Sequence, residues 1–266
     1  MVEVANRKPL KLLVEERRRH ILDLLASHHR VTVNELVAQF GVSAVTVRGD
    51  LDALAHLGQL VRSHGGGLVR SGPLHDLPIA LKAALNHAEK VRIGRAAAAL
   101  VRDGETVILD SGTTTVEIAR ELKHTAHTSL TVITNALNIA TELAGQPAVQ
   151  VIVMGGILRP TSFSLVGPQA EQALANLRAD RLFLGVDGFE PDLGMTTPDL
   201  LEAQLNALMI RVAREITVVA DASKFTRRSV SLIGTLDAVN RVITDDRVDR
   251  AVLDSLRARN VEVLVV

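Results

Sequence analysis

Residues Val33–Leu51 read VNELVAQFGVSAVTVRGDL, and this stretch decides the N-terminal fold. Glu35–Phe40 has the apolar spacing of a short helix, and Gly41 is a natural residue for its C-terminus. Ser43 is placed to cap a second helix that runs to about His56 before Gly58. On that helix Val47, Leu51 and Leu54 form one stripe at i, i+4 and i+7. At 100° per residue Val45 and Gly49 fall almost opposite the stripe, flanked by Thr46 and Arg48. An outward face that is short, polar and basic suits a nucleic-acid groove. Arginine can make paired bonds to guanine, threonine can serve a base or a phosphate, and valine suits a thymine methyl.

Working outward, Glu15–Ser27 reads as a helix with Ile21, Leu24 and Leu25 on one face, and Val31–Val33 as a short extended segment. Gln59–Arg70 (QLVRSHGGGLVR) reads as two β-like pieces around three glycines, a wing. Its Arg62 and His64 are candidates for backbone phosphate or the minor groove. The expected DNA-contacting set is therefore Ser43, Val45, Thr46, Arg48, Gly49, Arg62 and His64. The letters HGGG at His64–Gly67 also occur in esterase oxyanion holes, but those need a GxSxG elbow and this chain has none.

Composition narrows the function classes. The chain has 266 residues, 47% of them hydrophobic, and no cysteine. Disulfides, thiolate nucleophiles and cysteine metal sites are excluded. No apolar run approaches the ~20 residues of a membrane span, and the N-terminus lacks an apolar signal core, so a cytoplasmic location is expected. Formal net charge is zero, but residues 1–70 carry 10 Lys/Arg and 7 Asp/Glu. Partition by domain is what matters for phosphate attraction, and a mildly basic module favours more than one copy per site. With no Trp, no Tyr and five Phe, the stacking platforms of single-strand binders are missing.

Residues 71–78 (SGPLHDLP) read as a linker, giving domains 1–70 and 79–266. One helix is expected over Ile79–Val101. Apolar strand candidates follow at Thr106–Asp110, Leu130–Thr134, Val149–Met154, Arg181–Leu184, Ile216–Ala220, Arg241–Thr244 and Val261–Val265. Helices are expected between them, including Thr114–Leu122, Pro198–Arg214 and Asp249–Arg259. This alternation predicts an α/β domain with a mostly parallel sheet covered on both faces.

Five polar blocks sit at predicted strand ends, where open α/β sheets bind ligands. Asp110-Ser111-Gly112-Thr113-Thr114-Thr115 opens a helix and offers amides and hydroxyls to an anion, phosphate above all. Asn135, Gly155-Gly156, Asp187 and Lys224 follow the next strands, and Glu202 is a weaker candidate at the same mouth. Lys224 would add positive charge, and Asn135 and Asp187 would orient hydroxyl or amino groups. No nucleophile–base wording, HExxH or metal cluster appears, so catalytic residues, metal and cofactor are expected to be absent. The rival reading is a sugar-phosphate isomerase or deaminase fused to a DNA-binding module, with Asp110, Asp187, Glu202 and Lys224 moving protons.

The Glu-Arg-Arg helix, the Ser43–Thr46–Arg48–Asp50–Leu51 core and the Arg62-x-His64-Gly65-Gly66 wing resemble the winged helix-turn-helix of DeoR-family bacterial repressors. DSGTTT, TN, GG, GVDG and DASKF resemble that family's effector domain, so the likeness covers nearly the whole chain. LDSGTTT-x-EIAR (Leu109–Arg120) and FLGVD (Phe183–Asp187) are most similar to the branch regulating N-acetylgalactosamine use; Gly194–Glu202 departs from it. The residue after Arg48 is usually basic or polar in the family and is Gly49 here. The resemblance implies a fold similar to ribose-5-phosphate isomerase and glucosamine-6-phosphate deaminase. It also implies a sugar-phosphate effector, double-stranded operator DNA as partner, and a dimer or tetramer.

Overall fold

The computed structural model describes residues 12–28, 30–57, 59–63, 65–68, 77–225 and 227–266. The chain forms two compact units, Met1–Leu85 and Asn86–Val266.

In the first unit, helix α1 (Val14–His28) is followed by β1 (Arg30–Thr32), α2 (Val33–Phe40), α3 (Ala44–His56), β2 (Val61–Ser63), β3 (Gly66–Leu68) and α4 (Ile79–Ala84). Thr32 and Glu35 cap α2 reciprocally, a capping box that satisfies otherwise orphan amides. Gly41 closes α2 in the left-handed conformation at φ 64°, where a side chain is disfavoured. Ile21, Leu36, Val47, Leu51 and Leu54 form the core of the three-helix cluster. The three short strands pair antiparallel in the order β1-β3-β2. Gly66 is required there, because a Cβ would stand 2.0 Å from the Val31 carbonyl oxygen.

The second unit begins with α5 (His87–Ala98). The single helix expected over residues 79–101 is thus two. Leu85 is extended and Asn86 is left-handed at φ 50°, which breaks the helix without proline or glycine. Leu81 packs into the helical core of the first unit, and the two compact units divide at Leu85–Asn86; residues 71–76 of the expected linker lie outside the described residues. Then come β4 (Thr106–Leu109), α6 (Thr113–Leu122), β5 (Leu130–Thr134), α7 (Leu137–Leu143), β6 (Val149–Val153), β7 (Ile157–Arg159), β8 (Ser164–Val166) and α8 (Pro168–Ala175). They are followed by β9 (Ala179–Leu184), β10 (Gly188–Glu190), β11 (Gly194–Thr197), α9 (Leu200–Val212), β12 (Ala213–Val219), β13 (Ser231–Gly234), β14 (Arg241–Thr244), α10 (Arg250–Ala258) and β15 (Glu262–Val265).

Seven strands form one parallel sheet in the order β15-β14-β12-β9-β4-β5-β6. Alternate residues of each strand serve opposite faces. Ile108, Leu182, Val218 and Val242 join one core with Leu174 of α8, Leu205 and Met209 of α9 and Leu256 of α10. Val107, Leu109, Phe183, Val219 and Ile243 join the other with Ile93 of α5, Ile118 of α6 and Ile139 of α7. From β4 the chain builds outward through β5 and β6, then returns to β9 on the other side of β4. The topological switch therefore lies between β4 and β9, the place where open α/β sheets bind ligands. Two small sheets, the β7–β8 hairpin and the antiparallel β10-β11-β13 sheet, add to the unit.

Candidate functional site

The outward face of α3 is as its spacing predicts. The Ser43 hydroxyl oxygen accepts the Thr46 amide at 3.1 Å and lies 2.9 Å from the Thr46 hydroxyl, capping the helix. Val47, Leu51 and Leu54 are buried, while Ser43, Val45, Thr46, Arg48 and Gly49 are exposed. Val45 is 75% exposed, an unusual position for valine in water. Gly49 has no packing reason, since a Cβ there would meet nothing within 4 Å. In the wing, Arg62 is partly exposed and engaged within the unit. It pairs with Asp52 at 2.7 Å and donates to the Gly66 carbonyl at 2.8 Å, bracing the wing against α3. His64 lies outside the described residues. Spacing alone also missed the role of Asp50. It is 3% exposed on the inner side of α3 and receives Arg17 Nε at 2.5 Å and Arg18 Nε at 3.1 Å from α1. The signal was present in the double arginine of the first helix.

In the second unit, the loops after β4 and β9 cross at the switch point. The Asp110 carboxylate is wedged between two glycines: a Cβ on Gly112 would come to 3.1 Å from Oδ1, and one on Gly185 to 3.3 Å from Oδ2. Burial pushes the Asp110 carboxyl up to about 7 and the nearby Glu202 charge adds to this, against bonds from the Gly185 and Gly112 amides and Thr115. Thr115 was expected to hold a ligand, but it is fully buried. Its hydroxyl accepts the Gly112 amide at 2.9 Å and bonds the Asp110 and Gly112 carbonyls at 2.9 and 2.8 Å. It shapes the loop. Thr114 is likewise buried, and Asp110 lies beneath the glycines, so Ser111, Gly112 and Thr113 are the loop residues reaching the surface. By helix geometry the first amides of α6 lack intrahelical partners and suit an anion.

Asn135, also expected at the mouth, is wholly buried. Its side chain donates to the Leu165 carbonyl at 3.2 Å and its own carbonyl accepts the Leu165 amide at 2.7 Å, clamping β8 to the end of β5. Gly155 and Gly156 are exposed and form the turn into the β7–β8 hairpin. Gly156, at φ 126°, is needed because a Cβ would sit 2.5 Å from the Val166 carbonyl oxygen.

Asp187, Glu202 and Lys224 do come together. Lys224 Nζ is 3.5 Å from Asp187 Oδ1. The Thr197 hydroxyl bridges Asp187 at 3.3 Å to Glu202 at 3.4 Å. The other oxygen of Glu202 is held at 2.7 Å by Arg159 Nη1, Ser162 and Ser164, all from the hairpin, and Arg159 also reaches Asp199 at 3.1 Å. Sequence reasoning did not single out Arg159, Ser162, Ser164, Thr197 or Asp199. For Arg159, Ser162 and Ser164 the available signal was a polar run within ten residues of Gly155-Gly156. Among the described residues no His/Cys/Asp/Glu group is arranged to hold a metal, and no helix is long and apolar enough to cross a membrane.

Comparison with known proteins places this architecture. Residues 17–71 match the model of the DeoR-like helix-turn-helix domain, and residues 85–246 match that of the DeoR C terminal sensor domain. The chain belongs to the DeoR family. This member is 42% identical over 253 residues to a protein named as the aga operon transcriptional repressor of Escherichia coli O157:H7, covering 94% of this chain and 93% of that one. It is 32% identical over 234 residues to the glycerol-3-phosphate regulon repressor of Escherichia coli strain K12, covering 86% and 90%. Among solved structures it is similar to ribose 5-phosphate isomerase A of Methanocaldococcus jannaschii, with a TM-score of 0.38, 17% identity and coverage of 53% and 55%. The relatives matched over most of their length are named as transcriptional regulators, and this DeoR-family chain is a regulator and not the enzyme of the rival reading.

Proposed function

We propose that this protein is a repressor of a sugar or amino-sugar catabolic operon, released from operator DNA by a phosphorylated sugar. The observation that carries the reading is the strand order. It brings the Ser111–Thr113 loop, Asp187 and the Lys224 turn to the carboxyl ends of the adjacent strands β4, β9 and β12. Ser111, Thr113 and the first amides of α6 would hold the phosphate, with Lys224 supplying positive charge. Asp187, beside Lys224, would take sugar hydroxyl or amino groups. With no Trp or Tyr in the chain, sugar recognition rests on hydrogen bonds. Two or four copies would present their α3 helices to repeated half-sites, Thr46 and Arg48 reading base edges and Val45 a thymine methyl. The ligand acts by favouring a state whose DNA-binding units no longer match the half-site spacing.

The test combines a mobility-shift assay on DNA upstream of the controlled operon with titration by N-acetylgalactosamine 6-phosphate and other sugar phosphates. Release of DNA by one of them is expected. Lys224→Ala and Thr113→Ala are expected to abolish release at the same concentration while DNA binding persists. Wild-type response in both variants would show the pocket to be elsewhere.

A further inference from the structure

The chain enters the second unit at Asn86, and every polar atom of the Asn86 amide group is tied to the unit's strand-end loops. Its Nδ2 donates to Asp221 Oδ1 at 2.8 Å and lies 3.5 Å from the Ser223 hydroxyl. Its Oδ1 accepts Arg247 Nη1 at 3.3 Å. Asp221 is 1% exposed, and the same Oδ1 also accepts the Ser223 amide at 3.1 Å, capping the short turn Ala222–Lys224. The Asp221 carbonyl accepts the Lys224 amide at 3.0 Å. Asp245 closes the cluster: it accepts the Ala222 amide at 2.7 Å and Arg247 Nε at 2.8 Å, and Arg247 reaches Glu89 of α5 at 3.4 Å.

Two further features make this cluster more than a surface network. Asn86 sits in the left-handed region between two helices, a conformation that asparagine enters more readily than other side-chain-bearing residues and that here sets the bend. Helix α5, which starts at the next residue, crosses α6 so closely that a Cβ on Gly94 would lie 2.6 Å from the Glu117 Cβ. The connector helix is therefore seated on the helix that carries the Ser111–Thr113 loop, and its first turn is latched to the turn that carries Lys224.

We infer that Asn86 is the positioning residue through which occupancy of the pocket reaches the connection to the DNA-binding unit. This rests on the effector pocket proposed above. An anion drawn to Lys224 fixes the Asp221–Lys224 turn. The Asn86–Asp221 bond passes that restraint to the Leu85–Asn86 bend, where the chain leaves for α4. A structural role alone would stabilise the unit without making the bend respond to the pocket.

The test is hydrogen exchange of the full chain at residues 85–90, with and without N-acetylgalactosamine 6-phosphate, alongside calorimetric binding of the same probe. Asn86→Gly removes the latch and keeps the left-handed backbone accessible. In the wild type the probe is expected to slow exchange there about tenfold, inside the usual range of coupling between sites. In Asn86→Gly the probe is expected to bind with unchanged affinity while exchange at residues 85–90 no longer responds. A response that survives in Asn86→Gly, or binding without response in the wild type, overturns the inference. If calorimetry shows no binding of the probe, the effector reading fails for this ligand. The latch is then decided without ligand: Lys224→Ala should speed exchange at residues 85–90 in the otherwise wild-type chain but not in Asn86→Gly. The same shift in both backgrounds, or none in either, overturns it.

Discussion

Asp50 of the first unit and Asp110 of the second are both buried beside a candidate functional surface, and the two are treated in opposite ways. Asp50, on the inner side of the DNA-facing helix, receives two guanidinium groups. Asp110, under the loop at the switch point, receives backbone amides and has Glu202 as a charged neighbour. A buried charge with cations in contact fixes one arrangement of α1 against α3. For Asp110, burial outweighs the bonds from the Gly185 and Gly112 amides and Thr115, and the carboxyl is pushed up to about 7. The face of α3 proposed to meet DNA is thus braced by ion pairs, and the floor of the proposed effector site holds a carboxyl without a cation in contact.

Breaking the brace should have the largest effect. Asp50→Ala strands Arg17 inside the first unit, and removal of one member of a buried pair costs about 3–5 kcal/mol. Denaturant unfolding of the full chain should show an early transition in the first unit, with operator binding lost. Survival of both at wild-type levels would mean that Asp50 is not the brace.

The Asp110 carboxyl is raised from 3.8 to about 7 in the folded chain. Its contribution to stability is therefore full below about pH 4 and is lost as pH rises through 7, an effect of about 4 kcal/mol for a shift of this size. In Asp110→Asn this component should vanish, so the variant gains on the wild type between about pH 4 and pH 7. Parallel stability-against-pH curves for the two proteins would contradict the assignment.

The smallest effect concerns the exposed face itself. Gly49→Ala should stabilise α3 by about 1 kcal/mol, the helix propensity difference, because nothing stands where the methyl would go. A rise in the first unit's thermal midpoint with altered operator affinity is expected. A destabilised variant would imply a neighbour that the fold does not show.

The two regions also differ in how much of them can be read from sequence. The first unit was legible because helix periodicity, Ser43 and Gly41 all agree, and buried Val47, Leu51 and Leu54 follow from spacing alone. The seven parallel strands were legible as apolar runs, the central ones buried on both faces and the edge strands β6 and β15 partly exposed. Short strands were not: β7, β8, β10 and β11 span three or four residues and are set by glycine turns and tertiary contact. With them went Arg159, Ser162 and Ser164, which reach Glu202 only because the hairpin folds over it. The break at Asn86 was hidden for another reason. Its local sequence, AALNHAEK, favours helix, and long-range bonds from Asp221 and Arg247 hold the bend. Thr115 and Asn135 were assigned to the ligand on residue type, whereas burial gives both an internal task.

The bare backbone at Gly49 has a consequence for how such a regulator diverges. The position faces outward and touches nothing, so its side chain can change without repacking the helices behind it. On the proposed reading, a single codon change there would alter what the helix presents to a base pair and leave the second unit, and its proposed effector site, as they were. After duplication of the gene, two copies responding to one metabolite can part company at their promoters by that one step.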